Sequence, residues 1–594
     1  MIPNLSEALI REYATDESFR RGEDYAKGGA VVSLTHRGNA LDAEVEGSEP
    51  LPYHVRVTFD AGGITTATCS CPYDWGGWCK HVVAALLVAI RNPDEVEERP
   101  TLDALLADLD REQLQAVLVA IAERDPAVVD VIERQVSLHS AASAPAASSP
   151  VAEPRQRRTP VDASAIRREV RAAFRSLDRL SSSEAYWHVG GVVGEVGDVL
   201  ERAWEFIRAG DGESALAILE AITDEYVEDW TEVDDSDGEA SAFFYELGPA
   251  WVEALLTADL SADERAEWAD RLGAWALEID DYGIDDAFDD AMQAAKVGWD
   301  DPALRQILRG ESGTSDANGP TTLSDKLTGA LLNVLDRQGR HDEYLRLARA
   351  TGQAERYATM LARLGRIDDA VAYGLQNLTS APDALSVAQA LREREALDEA
   401  LRIGEHGLTL DGRKAELAVW LRDLASVAGR PELALSASTT AFREQPSLVA
   451  YQRVQELAGE RWPDYRTELL EYLRRTKTYH PVGTVDVFLH EGLIDDAIAA
   501  VSDSYSYGLI ERVAEAAISA RPDWVIQTCR KQAEAIMNEG RANHYDTAVR
   551  WLTHARSAYR AAGRESEWRT YLADLITRHG RKYKLVPMLR TLQG

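Results

Sequence analysis

The stretch CSCPYDWGGWCKHVVAALLVAIR, residues 69–91, decides how this chain is read. It holds three of the four cysteines in 594 residues, and it spaces them Cys-x-Cys-x7-Cys-x-His. In an extended strand residues i and i+2 share a face, so Cys69 and Cys71 can reach one ion from a strand end. Cys79 and His81 return from the loop at the start of an apolar helix, where the macrodipole favours thiolate over thiol. Four N/S donors satisfy tetrahedral Zn2+ and leave no position for a reacting water, so the site is structural. The short spacings in a strand–loop–helix frame favour zinc over an iron–sulfur cluster. Three clustered cysteines and a distant Cys529 make no disulfide framework.

Working outward from the motif, residues 1–28 read as helix: apolar residues recur at helical spacing in LSEALIREYA, and Gly28-Gly29 stops the run. From Ala30 the period falls to two. The segments AVVSLTHRG, ALDAEVEG, YHVRVTFD and ITTATCSC alternate between turn signals and predict an antiparallel β-meander. HVVAALLVAIR is apolar all round, which predicts a buried helix ending before Asn92-Pro93. Residues 101–136 read as two short helices broken near Asp125-Pro126, and residues 138–164 as a disordered Ala/Ser/Pro-rich linker.

Beyond the linker everything reads as helix. The phrases GDGESALAIL, GRIDDAVAYG, EALDEALRIG, GRPELALSAS and GLIDDAIAAV place Ala215, Ala370, Ala400, Ala434 and Ala497 just after a turn. The intervals are 30 and 34 residues from Ala370 through Ala400 to Ala434, and 63, near two repeats, on to Ala497, a period that falls among helical-hairpin repeats with a small alanine where paired helices approach. The fold class is therefore α+β: a small zinc-bound β-meander and helix, followed by a large all-α region of α-solenoid, tetratricopeptide-like type.

Cys69-Ser70-Cys71-Pro72-Tyr73 followed by Cys79-Lys80-His81-Val82-Val83-Ala84 resembles the SWIM zinc finger, whose pattern is CxCxnCxH. The resemblance covers about residues 1–95, including RGEDYAKGGAVVSL ahead of the meander. It implies Zn2+ as the cofactor, with Cys69, Cys71, Cys79 and His81 as its ligands. The family occurs in Snf-type helicase-like ATPases, transposase-derived proteins and recombination accessory factors, so the resemblance implies a finger that binds DNA or protein. The chain departs from the ATPase members, having no GxxxxGK[ST] phosphate loop. The resulting map is residues 1–95 as the finger module, 96–137 as a helical extension, 138–164 as linker, and 165–594 as a helical-repeat scaffold dividing near 310–325.

Net charge is −36, and nine of the 64 basic residues are lysine. Abundant carboxylate with scarce lysine matches proteins of a salt-rich, halophilic cytoplasm, where acidity serves solubility. The first hundred residues carry nine Lys/Arg against sixteen Asp/Glu, so the finger region has no basic patch to hold phosphates. Within the motif loop, Tyr73, Trp75 and Trp78 either stack on unpaired bases or a partner surface, or fill the small core of a zinc loop. Lys80, Arg20, Arg21 and Arg56 are the candidate phosphate contacts. The acidic runs around Asp234 and Asp285 lack the ligand order of a calcium loop. His341 and His544 lie beside carboxylates without a third convergent group. No catalytic motif is present, which predicts a non-enzyme with protein partners on the helical region, DNA or protein on the finger, no small-molecule substrate and no membrane span. The N-terminus has neither a basic start nor an apolar core, which predicts a cytoplasmic protein.

Overall fold

The computed structural model describes residues 3, 5–49, 51–73, 76–107, 109–124, 161–177, 182–311, 323–476, 481–540 and 542–593. These form two compact units, Met1–Leu102 together with Leu378–Gly594, and Asp103–Asn377. Of the expected linker, residues 138–160 lie outside the described residues, as does the second of the two short helices expected before it. Within the linker's last residues, the Asp162 carboxylate accepts from the Ser164 and Ala165 amides and caps the helix Ala163–Arg175.

In the first unit the expected N-terminal helix is two helices, α1 (Glu7–Tyr13) and α2 (Asp16–Lys27). The break has a local cause: the Thr15 hydroxyl accepts from the Ser18 amide at 3.1 Å and starts a new helix. A continuous apolar period across residues 5–27 hides that cap. The meander follows as β1 (Val31–Arg37), β2 (Ala40–Val45), β3 (Tyr53–Asp60) and β4 (Gly63–Cys69), antiparallel throughout. Alternation sets the faces: Tyr53, Val55, Val57 and Phe59 are buried, whereas His54 and Arg56 face water. Helix α3 (Lys80–Arg91) covers the apolar face, with every residue from His81 to Val88 buried.

Helix α2 crosses α3 at Gly22, where a Cβ would stand 2.4 Å from Val83 Cγ1 and 2.9 Å from the Lys80 carbonyl oxygen. The close approach therefore requires glycine there. A short strand, β5 (Glu97–Glu98), adds to β1 in parallel, so the sheet order is β4-β3-β2-β1-β5. Residues from 96 onward read as helix from the sequence. Two residues are too few to show a period, and the helices α4 (Leu102–Leu106) and α5 (Arg111–Arg124) begin only afterwards.

The rest of the first unit is helical and packs in consecutive pairs: Ala381–Glu393 with Leu397–Gly407, Ala415–Val427 with Pro431–Glu444, and Pro522–Glu539 with Tyr545–Ala561. The second unit is also helical, and Ala354–Arg363 pairs with Ile367–Asn377 in the same way. Ala215, Ala370, Ala400, Ala434 and Ala497 each sit in the first turn of a helix and are fully buried. The recurring phrase thus marks helix starts whose small side chain faces a neighbour.

Within the first unit, charged groups join the sheet module to the helices. Arg422, only 1% exposed, pairs with Glu12 of α1 and with its neighbour Asp423. The Tyr13 hydroxyl donates to Asp423 at 3.0 Å. Arg392 grips Asp60 at the end of β3, with Nε at 2.7 Å from the carboxylate.

Candidate metal centre

Strand β4 ends at Cys69, which lies opposite Val55 of β3. The chain stays tied for one more residue, because the Ser70 amide donates to the His54 carbonyl at 2.9 Å and the His54 amide donates to the Ser70 hydroxyl at 2.9 Å. Cys71 follows two positions after Cys69. Across the loop, Cys79 is the extended residue that precedes α3, and His81 lies in its first turn. The strand end and the helix start thus bring the four donors to one point, and their ligand atoms all lie within 4.8 Å of one another. Among the described residues no other set of His, Cys, Asp and Glu converges in this way.

The edges of this cluster test its fit to a metal. Zn–S and Zn–N bonds of about 2.3 and 2.0 Å at tetrahedral angles put neighbouring S and N donors roughly 3.5 Å apart. The His81 Nδ1 lies 3.6 Å from the Cys69 sulfur and 3.9 Å from the Cys79 sulfur. Three sulfurs and one imidazole nitrogen are the donor set of a closed structural zinc site. Their electrostatics agree. Cys79 is drawn down to about 4, first by the hydrogen bond from Cys69 and then by His81, against the cost of burial. Cys69 is pushed up, chiefly by that same hydrogen bond and then by burial, and Cys71 is pushed up by burial. Three thiols this close cannot all ionise on their own. A divalent cation among them removes the conflict by stabilising all three thiolates at once.

Residues around the histidine, not evident from the motif, fix its ring. Tyr53 stacks on His81 with centroids 4.4 Å apart, and Tyr25 lies tilted on it at 5.6 Å. A Cβ on Gly47 would meet Tyr53 at 2.3 Å and His81 Nε2 at 3.1 Å. Gly47 therefore keeps open the space that the stacked pair fills. The sequence signal for this was slight: a glycine in the β2–β3 turn and an aromatic at the start of β3.

The other candidate residues are placed individually. Trp75 lies outside the described residues. The Tyr73 hydroxyl accepts from Ser18 and donates to the Gly76 carbonyl, both at 3.1 Å. Trp78 stacks on Tyr13 at 4.8 Å, and its amide donates to the Tyr13 carbonyl at 2.7 Å. These two aromatics thus tie the metal loop to α1 and α2. The Lys80 ammonium sits over the Tyr25 ring at 4.7 Å. Arg20 pairs with Glu17 and Asp24, and Arg56 pairs with Asp42 at 3.3 Å. Arg21 is exposed beside the thiol loop. In the tail, Asp235 caps a helix by accepting from Ala240 and Ser241, and His341 faces Asp336 at 3.7 Å.

Comparison with known proteins agrees with this geometry. Residues 53–90 match the SWIM zinc finger family model. The chain is also similar to the zinc finger SWIM domain-containing protein 8 homolog of Drosophila melanogaster, 37% identical over 100 residues, or 17% of this chain and 5% of that protein. The match therefore spans a small fraction of that relative's length. Strand pair, loop and helix over residues 53–90 form a SWIM zinc finger, whose Cys3His arrangement is able to hold a zinc ion.

Proposed function

We propose that the chain is a non-enzymatic interaction protein in which zinc supports a SWIM module that binds protein, and the acidic helices serve as a scaffold for further protein partners. One observation carries the choice of protein over nucleic acid. Of the four candidate phosphate contacts, Arg20 and Arg56 are already paired with carboxylates and Lys80 is seated on Tyr25. Phosphate binding draws on free cations that displace counterions, and this surface offers few. Two of the three loop aromatics, Tyr73 and Trp78, are engaged in contacts within the module. The net charge of −36 acts in the same direction.

The test is a titration of the full-length, zinc-loaded protein against single- and double-stranded DNA across salt. The expected result is no binding at the lowest salt. Binding whose log affinity falls by about 0.9 per log salt for each phosphate contact would replace this reading with the nucleic-acid one.

A further inference from the structure

Strand β4 is an edge of the sheet, and it faces a cavity of about 640 Å3 within the first unit. Such a volume falls in the range of about 300 to 1,000 Å3 typical of ligand pockets. The register tells which backbone groups look into it. Because Ser70 donates to His54, the hydrogen-bonded pairs of this antiparallel ladder are His54/Ser70, Arg56/Thr68 and Thr58/Thr66. Ala67 then sits in a pair whose N–H and C=O point away from β3, toward the cavity. Opposite this edge stand Leu385, Val419 and Trp420, all incompletely buried, on the helices Ala381–Glu393 and Ala415–Val427. Arg392, held on Asp60 and near the Gly63 carbonyl, closes one end. The Tyr13–Trp78 stack lines the cavity as well.

The geometry points to this groove as a site that takes an extended, basic peptide of a partner protein as an added strand on β4. An exposed edge with unpaired backbone groups is a template for strand addition, and here apolar walls supply pockets for alternate side chains. Charge selects the occupant. Glu416, exposed in the first turn of Ala415–Val427, has no ion pair among the described residues and lines the groove. Glu12 and Asp423 share the single cation Arg422, and Arg392 is matched by Asp60. The lining is therefore net acidic, and lysine or arginine at alternate peptide positions complements it. The inference rests on the proposed protein-binding role and gives it a location.

The experiment uses the full-length, zinc-loaded protein with the synthetic peptides VKVKVKV and VEVEVEV, reading amide hydrogen exchange of residues 63–69. VKVKVKV is expected to slow exchange across Ile64–Cys69, and VEVEVEV is not. Ala67→Pro removes the outward N–H of an edge strand, where proline is tolerated, and Glu416→Arg reverses the charge of an exposed helix residue. Each is expected to weaken the basic peptide about tenfold or more, with zinc content measured to show that the variant is folded. No slowing by VKVKVKV, equal slowing by both peptides, or unchanged affinity in Glu416→Arg would overturn the inference. Failure here with no DNA binding leaves the protein-binding role standing at another surface, whereas DNA binding with slowed exchange replaces the choice of protein over nucleic acid for the finger and keeps the groove as a peptide site.

Discussion

At the scale of single residues, the metal centre depends on groups that never touch the ion. His81 presents Nδ1 to the sulfurs, and its ring is held by Tyr53 and Tyr25. Gly47 supplies the room for that stack, since any Cβ there lies within 2.3 Å of the Tyr53 ring. Gly47→Ala must displace Tyr53 and, with it, the imidazole. Substitutions that disturb the orienting shell of a metal ligand lower affinity about 10- to 100-fold. Competition with a chromophoric chelator should show a loss in that range for Gly47→Ala, with the three cysteines intact. An unchanged zinc affinity would mean that the stack does not position His81. The four ligands themselves were legible in the sequence because their spacing is local and cysteine is otherwise almost absent. The stack was not, because it joins residues of β3, the β2–β3 turn and α3 through shape rather than through any repeating pattern.

At the scale of elements, helix starts were more readable than helix surroundings. Turn, acidic first turn and buried alanine recur, and Ala370, Ala400, Ala434 and Ala497 all occupy that place. The break between α1 and α2 leaves no mark in the sequence because the apolar period runs through it, and β5 leaves none because two residues carry no period. Helix ends can hold titrating groups, as the helix Glu565–Arg578 illustrates. His579 follows its last residue, is 7% exposed, and has its pKa lowered first by burial and then by the Lys582 and Arg578 charges, against Glu534 and Asp574. A histidine with a lowered folded pKa contributes stability that is complete above its unfolded pKa of about 6.5 and is lost as pH falls through the folded value. Between pH 7 and 5.5 the unfolding free energy should therefore fall with acidification, by at most about 1.4 kcal/mol per pH unit from this one proton. His579→Gln should flatten that slope in urea-midpoint measurements, and a slope equal to the wild type's would show that other groups carry it.

At the scale of the whole molecule, the first unit is assembled from segments far apart in the chain. Glu12 meets Arg422 across 410 positions, and Asp60 meets Arg392 across 332. Local patterns of composition and periodicity cannot record such contacts, which is why the sequence shows a finger and a helical region but not the seam between them. That seam is electrostatic and buried. Arg422 is 1% exposed and its partner carboxylates Glu12 and Asp423 are 14% exposed, so each group depends on the others for the charge compensation that water would otherwise give. Removing one member of a buried ion group costs about 3 to 5 kcal/mol, because the remaining charges stay buried and uncompensated. Arg422→Ala leaves two carboxylates facing one another beside Tyr13 and should lower the unfolding free energy of the first unit, read from urea unfolding, by that amount. Replacing the set with apolar and neutral groups of similar volume, as in Glu12→Gln with Arg422→Met and Asp423→Asn, should cost much less. Equal losses in the single and triple variants would mean that packing, and not charge, holds the sheet module to its helices.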